Sequence, residues 1–425
     1  MICSRCIFLK FRLLNLLFDS FDLPHFFCLL LLLIAICSSA GLLILQLGLQ
    51  RVFSIAPSLA SGPKSDPQSD LPDTSLCVVI PAYNEFDNIA PCLASVLASD
   101  PPCSDWQVLV VDDESSDATV DRVNVVLDER GTSDPPCRLL RAGARPSAER
   151  WVGKNWACTR AMDEVRSHWV LFIDADVRLR PEALRRALAQ ASREEADLFS
   201  LAPRLSCGCL AEWMVQPIMA SLLGLGFPIE AANDPSSEVA FAAGPFMLFR
   251  RSSYERVGGH RALASEVVED LALARRIKSS GLRLRYLLGL DAVDLRMYAD
   301  LPSLWEGWTK NWFIGLDRDV SRALGAAGVV VLMFSVPWLQ FPAALVLLLL
   351  LPQLSLWWLV LLGLSLLAIV QQLLLRFWQR RRFDVPLTYW WLMGAGGLLL
   401  GAIGPVSVWR TLTGRGWTWK GRQLA

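Results

Sequence analysis

The chain has 425 residues, 41 basic and 41 acidic, and is 53% hydrophobic but only 19% charged. This balance excludes a disordered chain, which needs low hydrophobicity and high net charge, and it offers no overall basic field for nucleic acid. The apolar share exceeds the roughly 45–50% usual for soluble proteins, so a membrane-embedded part is expected.

Residues 1–53 read as an N-terminal segment. Its uncharged run Phe26–Leu49 is long enough to span ~30 Å of hydrocarbon as a helix. A secretory signal fits less well, because the run exceeds an ordinary signal core and no small-x-small cleavage site stands out. Residues 54–75, rich in Ser, Pro, Gly and Asp, read as a linker.

From 76 to 323 the pattern alternates strand with helix. Leu76–Ile80, Val108–Val111 and His168–Ile173 fit buried strands. Asn88–Ala98, Asp117–Leu127 and Pro181–Ala191 fit helices, the second capped by Ser115, Ser116 or Asp117 and the third opened by Pro181. Such alternation predicts an α/β layer structure with a mainly parallel sheet. Its ligand crevice should lie beyond the C-terminal ends of the strands.

Residues 324–409 hold two to three further membrane helices, in the runs Ala326–Leu351, Leu354–Leu375 and Leu387–Val408. Pro337 and Pro342 predict a kink in the first run, and the glycines of the last predict tight packing on a neighbour. Residues 410–425 form a basic tail. After Leu375 there are eight basic residues against one acid, Asp384, which suits anionic head groups or plain positive-inside anchoring. The 11 cysteines are odd in number and irregularly spaced, which points to a reduced compartment. Cys3-x-x-Cys6 and Cys207-x-Cys209 have no histidine at ligand spacing, so structural zinc is not expected.

The first predicted strand runs into Pro81-Ala82-Tyr83-Asn84-Glu85. The second ends at Asp112-Asp113-Glu114 and the third at Asp174-Ala175-Asp176. Carboxylates delivered to one edge repel unless a cation or a hydrogen-bonding ligand offsets their charge. A lone D-x-D arises by chance in a chain this long. One placed directly after an apolar strand, with two acidic strand ends upstream, is far more specific. The chemistry that suits it is departure of a nucleotide diphosphate, with Mg²⁺ or Mn²⁺ neutralising the leaving group. Asp112 or Asp113 can accept hydrogen bonds from a base or ribose; the alternative is a solvated turn capping the next helix. Gly153 permits close backbone approach, and Lys154 can meet a phosphate beside a helix N-terminus or stay an ordinary solvated lysine.

Val79–Glu85, the Asp112–Asp117 turn and the Asp174-Ala175-Asp176 triplet resemble the family 2 glycosyltransferases of GT-A fold, in the family's order and over roughly Leu76–Asp319. The resemblance implies a Rossmann-like catalytic domain, a nucleotide-sugar donor, inversion at the anomeric carbon and a divalent metal, Mg²⁺ or Mn²⁺, at Asp174 and Asp176. Donor-binding roles are implied for Pro81, Tyr83, Glu85, Asp112, Asp113, Lys154 and Asp174. Val267-Val268-Glu269-Asp270-Leu271 is similar to the family's E-D motif, which makes Asp270 the implied catalytic base with Glu269 beside it. A carboxylate suits that role in a chain with three histidines, although acids at a helix start also serve as plain capping. Gly153–Ala157, Ala243–Arg251 and Trp419-Lys420-Gly421-Arg422 resemble the branch associated with hopanoid and carotenoid glycosylation, implying a terpenoid lipid acceptor.

A lipid acceptor requires an apolar approach to the base. Leu210–Phe227 and Leu301–Leu316, with Trp305, Trp308, Trp312 and Phe313, are the candidates, or else simple core faces. The expected location is the plasma or an internal membrane of a bacterium, with the catalytic block facing the cytosol. Four crossings then place Arg5, Lys10, Arg12 and the basic tail outside, against the positive-inside rule. Either the first or the last apolar run fails to cross, or Met1–Asp22 adds a re-entrant piece. A processive polysaccharide synthase is the competing enzyme, disfavoured because Ser303–Trp312 contains no Q-x-x-R-W. An inactive scaffold is disfavoured by the joint presence of Asp174, Asp176 and Asp270.

Overall fold

In this computed structural model the long apolar run near the N-terminus forms helix α1 (Leu23–Ile55), which precedes the layered α/β part of the chain. Residues 23–60, 73–131, 133–226, 229–415 and 418–423 are described. Met1–Asp22, the Cys3/Cys6 pair, Phe227 and most of the expected linker lie outside them.

In chain order there follow β1 (Ser75–Ala82), α2 (Ile89–Leu97), β2 (Asp105–Asp112), α3 (Thr119–Arg130), β3 (Cys137–Arg141), α4 (Gly153–Glu164), β4 (Trp169–Ile173), β5 (Val177–Leu179) and α5 (Ala183–Arg193). Next come β6 (Leu198–Ala202), β7 (Arg204–Leu205), α6 (Leu210–Gly226), β8 (Phe246–Arg250), α7 (Glu269–Ser279), β9 (Leu284–Leu288), β10 (Val293–Leu295) and α8 (Leu301–Gly315). Seven strands form one sheet in the order β3-β2-β1-β4-β8-β6-β9, and only β8 runs against its neighbours. Val78, Val79, Ile80 and all five residues of β4 are buried, because helices cover both faces of a parallel sheet. The expected α/β architecture with a mainly parallel sheet is the one present. Boundaries move by one to three residues from the sequence reading, and Ala118 rather than Asp117 takes the N-cap position of α3.

The first residues of the expected linker, from Ser54 to Ala60, belong to α1 and to contacts with the sheet. α1 continues to Ile55, and the next residues are tied to the sheet rather than hanging between domains. Leu288 N–H donates to Pro57 O (2.9 Å), Leu59 N–H to Leu288 O (2.8 Å) and Ala60 N–H to Gln190 Oε1 (2.8 Å).

Among the described residues, four stretches are long and apolar enough to cross a membrane: Pro24–Ile55, Val320–Leu350, Pro352–Phe383 and Trp390–Leu412. The second comprises α9 (Val320–Val330), a π turn at Val331–Ser335 and α10 (Val336–Leu350). The third is α11 (Ser355–Phe383), and the fourth holds α12 (Met393–Leu412). The π turn lies where Pro337 predicts a kink. Pro337 has no N–H for the carbonyl of Met333, four residues earlier, so the helix widens and a side chain completes the bonding. Gln372 Nε2 donates to Met333 O and Phe334 O (both 3.0 Å), while its Oε1 accepts from Trp338 Nε1 (2.9 Å). Gln372→Leu strands those groups in apolar surroundings, and a stability loss of about 1–3 kcal/mol is expected by thermal unfolding in detergent.

α12 packs as its glycines predict: a methyl group at Gly396 would overlap the carbonyl oxygen of Met214 in α6. Its depth differs from that of the other three. α12 begins where Ser335 Oγ donates to Gly394 O (2.7 Å), midway along the Val320–Leu350 stretch. It ends where Ser407 Oγ accepts from Phe313 N–H (3.1 Å) and donates to Thr309 O (2.6 Å), both in α8. Leu332, just before that midpoint, bonds Ser38 near the middle of α1 (2.6 Å). α12 therefore runs beside only the half of the bundle nearer the seven-stranded sheet.

Candidate active site

The loops after β1, β2 and β4 meet at one edge of the sheet. Asn84 turns the first of them with φ +49°, in the left-handed region where Asn is tolerated. Its N–H donates to Ser115 Oγ (3.0 Å) and its Oδ1 accepts from Ser116 N–H (2.8 Å), locking the first loop to the second. Pro81, Tyr83, Glu85, Asp113, Lys154, Asp174, Asp176, Glu269 and Asp270 all line one polar cavity of about 290 Å³. Asp112 does not line it. That carboxylate is buried and accepts the N–H of Ser115 (3.3 Å), so it serves the turn, while the next residue faces the cavity.

Asp113 is held by Arg145 (2.5 Å), and burial raises its carboxyl against the pull of that guanidinium. Gly153 lets both side chains approach the backbone closely: a Cβ there would meet the Asp113 carboxylate and the Arg145 guanidinium, and that pair would have to shift. Lys154 is not aimed at open solvent. Its Nζ sits 2.6 Å from Asp174 Oδ1 and 2.6 Å from Glu269 Oε1, bridging the D-x-D turn to the start of α7. Burial works against the ammonium, but the two carboxylates raise it well above its ordinary range, so it stays charged.

Asp176 contrasts with Asp174. Its Oδ1 is buried without a hydrogen-bond partner, and burial, followed by the charges of Asp174 and Glu85, raises its carboxyl well above the usual range. An orphaned buried oxygen beside a second carboxylate is a donor set that a hard divalent cation satisfies, so these residues fit such an ion. Among the described residues, no group of three or more His, Cys, Asp or Glu forms an all-protein metal cage.

At the N-terminus of α7, Glu269 is occupied by Lys154 and Asp270 points inward. Gly244 N–H donates to Asp270 Oδ2 (3.0 Å) and Leu271 N–H to Oδ1 (2.7 Å). Burial, then the neighbouring Glu269 charge, pushes the Asp270 carboxyl up to about 6. Asp270 also opens onto a second, larger cavity of about 630 Å³ with predominantly aliphatic and aromatic walls. Met219, Leu222 and Leu223 of α6 line it, as do Trp308 and Trp312 of α8 and Phe383 at the end of α11. Both stretches expected to form a greasy approach thus supply wall residues, although Phe313 turns into the core instead.

Sequence reasoning did not anticipate four cations at the polar cavity. Arg145 and Lys310 line it, Arg422 reaches it from the C-terminal hairpin β11 (Thr418–Trp419) and β12 (Arg422–Gln423), and Lys420 pairs with Glu85 (2.6 Å). Burial lowers the Lys310 ammonium. Lys310 stands four residues after Glu306 on an otherwise aromatic helix, which was the available signal.

Residues 77–258 match glycosyl transferase family 2, and residues 169–403 match glycosyl transferase family group 2. The 4,4'-diaponeurosporenoate glycosyltransferase of Staphylococcus aureus strain MRSA252 is 27% identical over 263 residues, covering 59% of this chain and 64% of that protein. The protein of the same name from strain USA300 is 28% identical over 251 residues, covering 57% and 61%. The chain thus spans less than two thirds of the length of these relatives. A solved structure of the mannosyltransferase PcManGT from Pyrobaculum calidifontis, in complex with GDP-Man and Mn²⁺, shares 16% identity. It covers 88% of this chain and 99% of its own, with a TM-score of 0.45.

Proposed function

The chain belongs to glycosyl transferase family group 2, and from that premise we propose that it is a membrane-embedded inverting glycosyltransferase moving a sugar from a nucleotide-sugar donor to a hydroxyl of a hydrophobic lipid of terpenoid type. The observation that carries this reading is the pair of cavities meeting at Asp270: one polar and rich in carboxylates, the other apolar and walled by α6, α8 and the membrane helices. A soluble acceptor has no use for the second cavity.

Donor and acceptor then approach Asp270 from opposite sides. Tyr83, Asp113 and their loops receive the nucleotide, and Asp174 and Asp176 would hold a divalent cation, which when bound neutralises charge on the departing diphosphate. Lys154 keeps Glu269 paired, so that Asp270 alone is available to take the acceptor proton. The Gly244 N–H and Leu271 N–H fix the direction of that carboxylate.

The membrane arrangement follows from the depth of α12. We place three crossings, at α1, at α9–α10 and at α11, with α12 as a re-entrant helix. The basic tail then shares the side of the catalytic sheet. With that side cytosolic, the conflict at the C-terminus with the positive-inside rule disappears.

The test is acceptor selectivity in a narrowed cavity. Ala220 and Ala326 line the apolar cavity away from the polar one. Ala220→Phe and Ala326→Phe are expected to cut transfer to a long terpenoid alcohol by roughly 10- to 100-fold, leaving hydrolysis of the donor by water within about twofold. Equal transfer by wild type and variants, or preferential transfer to a soluble polysaccharide, contradicts the lipid assignment.

A further inference from the structure

The C-terminal hairpin docks on the polar cavity from more than 300 residues away in sequence. Its tip, Lys420-Gly421, has φ of +48° and +82°, the left-handed pair that a two-residue hairpin turn demands. Lys420 Nζ donates to Asn84 O (2.8 Å) and Tyr83 O (3.4 Å) and pairs with Glu85 Oε1 (2.6 Å). Arg422 lies over the Tyr83 ring, 3.6 Å from its centroid, bonds Asp113 Oδ2 (2.7 Å) and donates to Glu114 O (2.9 Å). A further bond joins Thr418 Oγ1 to Glu306 of α8 (2.5 Å). The cations of the hairpin therefore meet the loops after β1 and β2, where the proposed function places the nucleotide.

We infer that this hairpin is a working part of the donor site: Lys420 is a ligand of the diphosphate of a nucleoside-diphosphate sugar, and Arg422 is a positioning residue that holds Tyr83 and Asp113 for the nucleoside.

Charge supports the assignment. Six carboxylates line the polar cavity, against four cations that already include Arg422. Without the hairpin, a dianionic diphosphate and its metal would enter a site with three lining cations, Arg145, Lys154 and Lys310, facing six carboxylates. The hairpin adds two cations at the nucleotide end, where charge-assisted bonds to phosphate oxygens are strong. Lys420 is well situated to supply one, since its charge is felt at Asp176 as well as at Glu85. The connection is also short: α12 ends at Leu412, so only five residues separate the helix from Thr418. The packing of α12 on α6 and α8 thus fixes where the hairpin can reach. This gives a half-depth helix a reason to exist, because it returns the chain to the catalytic side.

The inference rests on the donor reading of the site, and its test separates the two. Binding of UDP, GDP, uridine and guanosine, each with Mn²⁺, is measured by calorimetry on the full chain in detergent, for wild type, Lys420→Ala, Lys420→Arg and Arg422→Ala. Lys420→Ala is expected to weaken the preferred diphosphate by about tenfold or more while leaving its nucleoside within about twofold, and Lys420→Arg to restore most of the loss. Arg422→Ala should weaken diphosphate and nucleoside alike. Unchanged diphosphate binding in Lys420→Ala overturns the inference and leaves the donor reading standing. Tighter binding overturns it too, and marks the hairpin as a plug that competes with the donor. If wild type binds neither diphosphate, the donor reading falls and takes the inference with it. Thermal melting of each variant ensures that a lost signal is not lost folding.

Discussion

Asp270→Asn is expected to lower sugar transfer by about 10³-fold while leaving nucleoside diphosphate binding within about twofold, since a positioned base typically contributes 10²–10⁴ to the chemical step and the nucleotide end of the cavity is built from Tyr83 and Asp113. The amide keeps the shape of the side chain and still accepts at one oxygen from Gly244 N–H or Leu271 N–H. What it loses is the capacity to take a proton. In wild type the same group predicts a pH limb. A base must be deprotonated to act, and burial with the Glu269 charge pushes this carboxyl up to about 6. Transfer at low substrate should therefore be constant above that pH and fall roughly tenfold per unit below it. A profile flat down to pH 4 in stable protein, or an Asn variant with near-normal turnover, removes Asp270 from the role.

The acceptor sharpens that experiment. A carboxylate acceptor would arrive already deprotonated, whereas an alcohol would not. An alcohol acceptor needs the base; an acid acceptor does not. The size of the Asp270→Asn effect with each acceptor type thus discriminates between a glycoside-forming and a glycosyl-ester-forming enzyme on this one scaffold.

The parts of this site that could be read from sequence are those carried by local pattern. An apolar strand followed at once by Asp174-Ala175-Asp176 needs no tertiary information, and the same holds for Glu269-Asp270 at the head of a helix. Choosing between Asp112 and Asp113 required the sheet, because adjacent strand-end residues face opposite ways and register decides which faces the cavity. The Lys154 bridge joins residues 20 and 115 positions apart, and no spacing rule reaches so far. Hydropathy identified the run that became α12 but measures length rather than depth. Its half-depth placement depends on Ser335, Ser407 and the Gly396 contact with α6. The basic tail was legible as charge, and its docking on Glu85 and Asp113 was not.

Asp176→Asn tests the remaining assignment on two independent readouts. Asp176 brings to the cavity a buried oxygen with no protein partner, whereas Asp174 is already engaged by Lys154. Removing the charge of Asp176 leaves Asp174 as a single carboxylate whose affinity for a cation is shared with an ammonium 2.6 Å away. Mn²⁺ binding followed by electron paramagnetic resonance, in the presence of UDP or GDP, is expected to weaken by about tenfold or more, as loss of one of two hard anionic ligands requires. Transfer should fall by roughly 10²-fold or more, because the departing diphosphate loses its neutralising charge. The apolar cavity lies beyond Asp270 and should be untouched, so partition of a terpenoid alcohol into the protein should not change. Mn²⁺ affinity equal to wild type, or turnover that keeps its metal dependence, would place the cation elsewhere. The orphaned oxygen of Asp176 would then have to be satisfied by the donor itself.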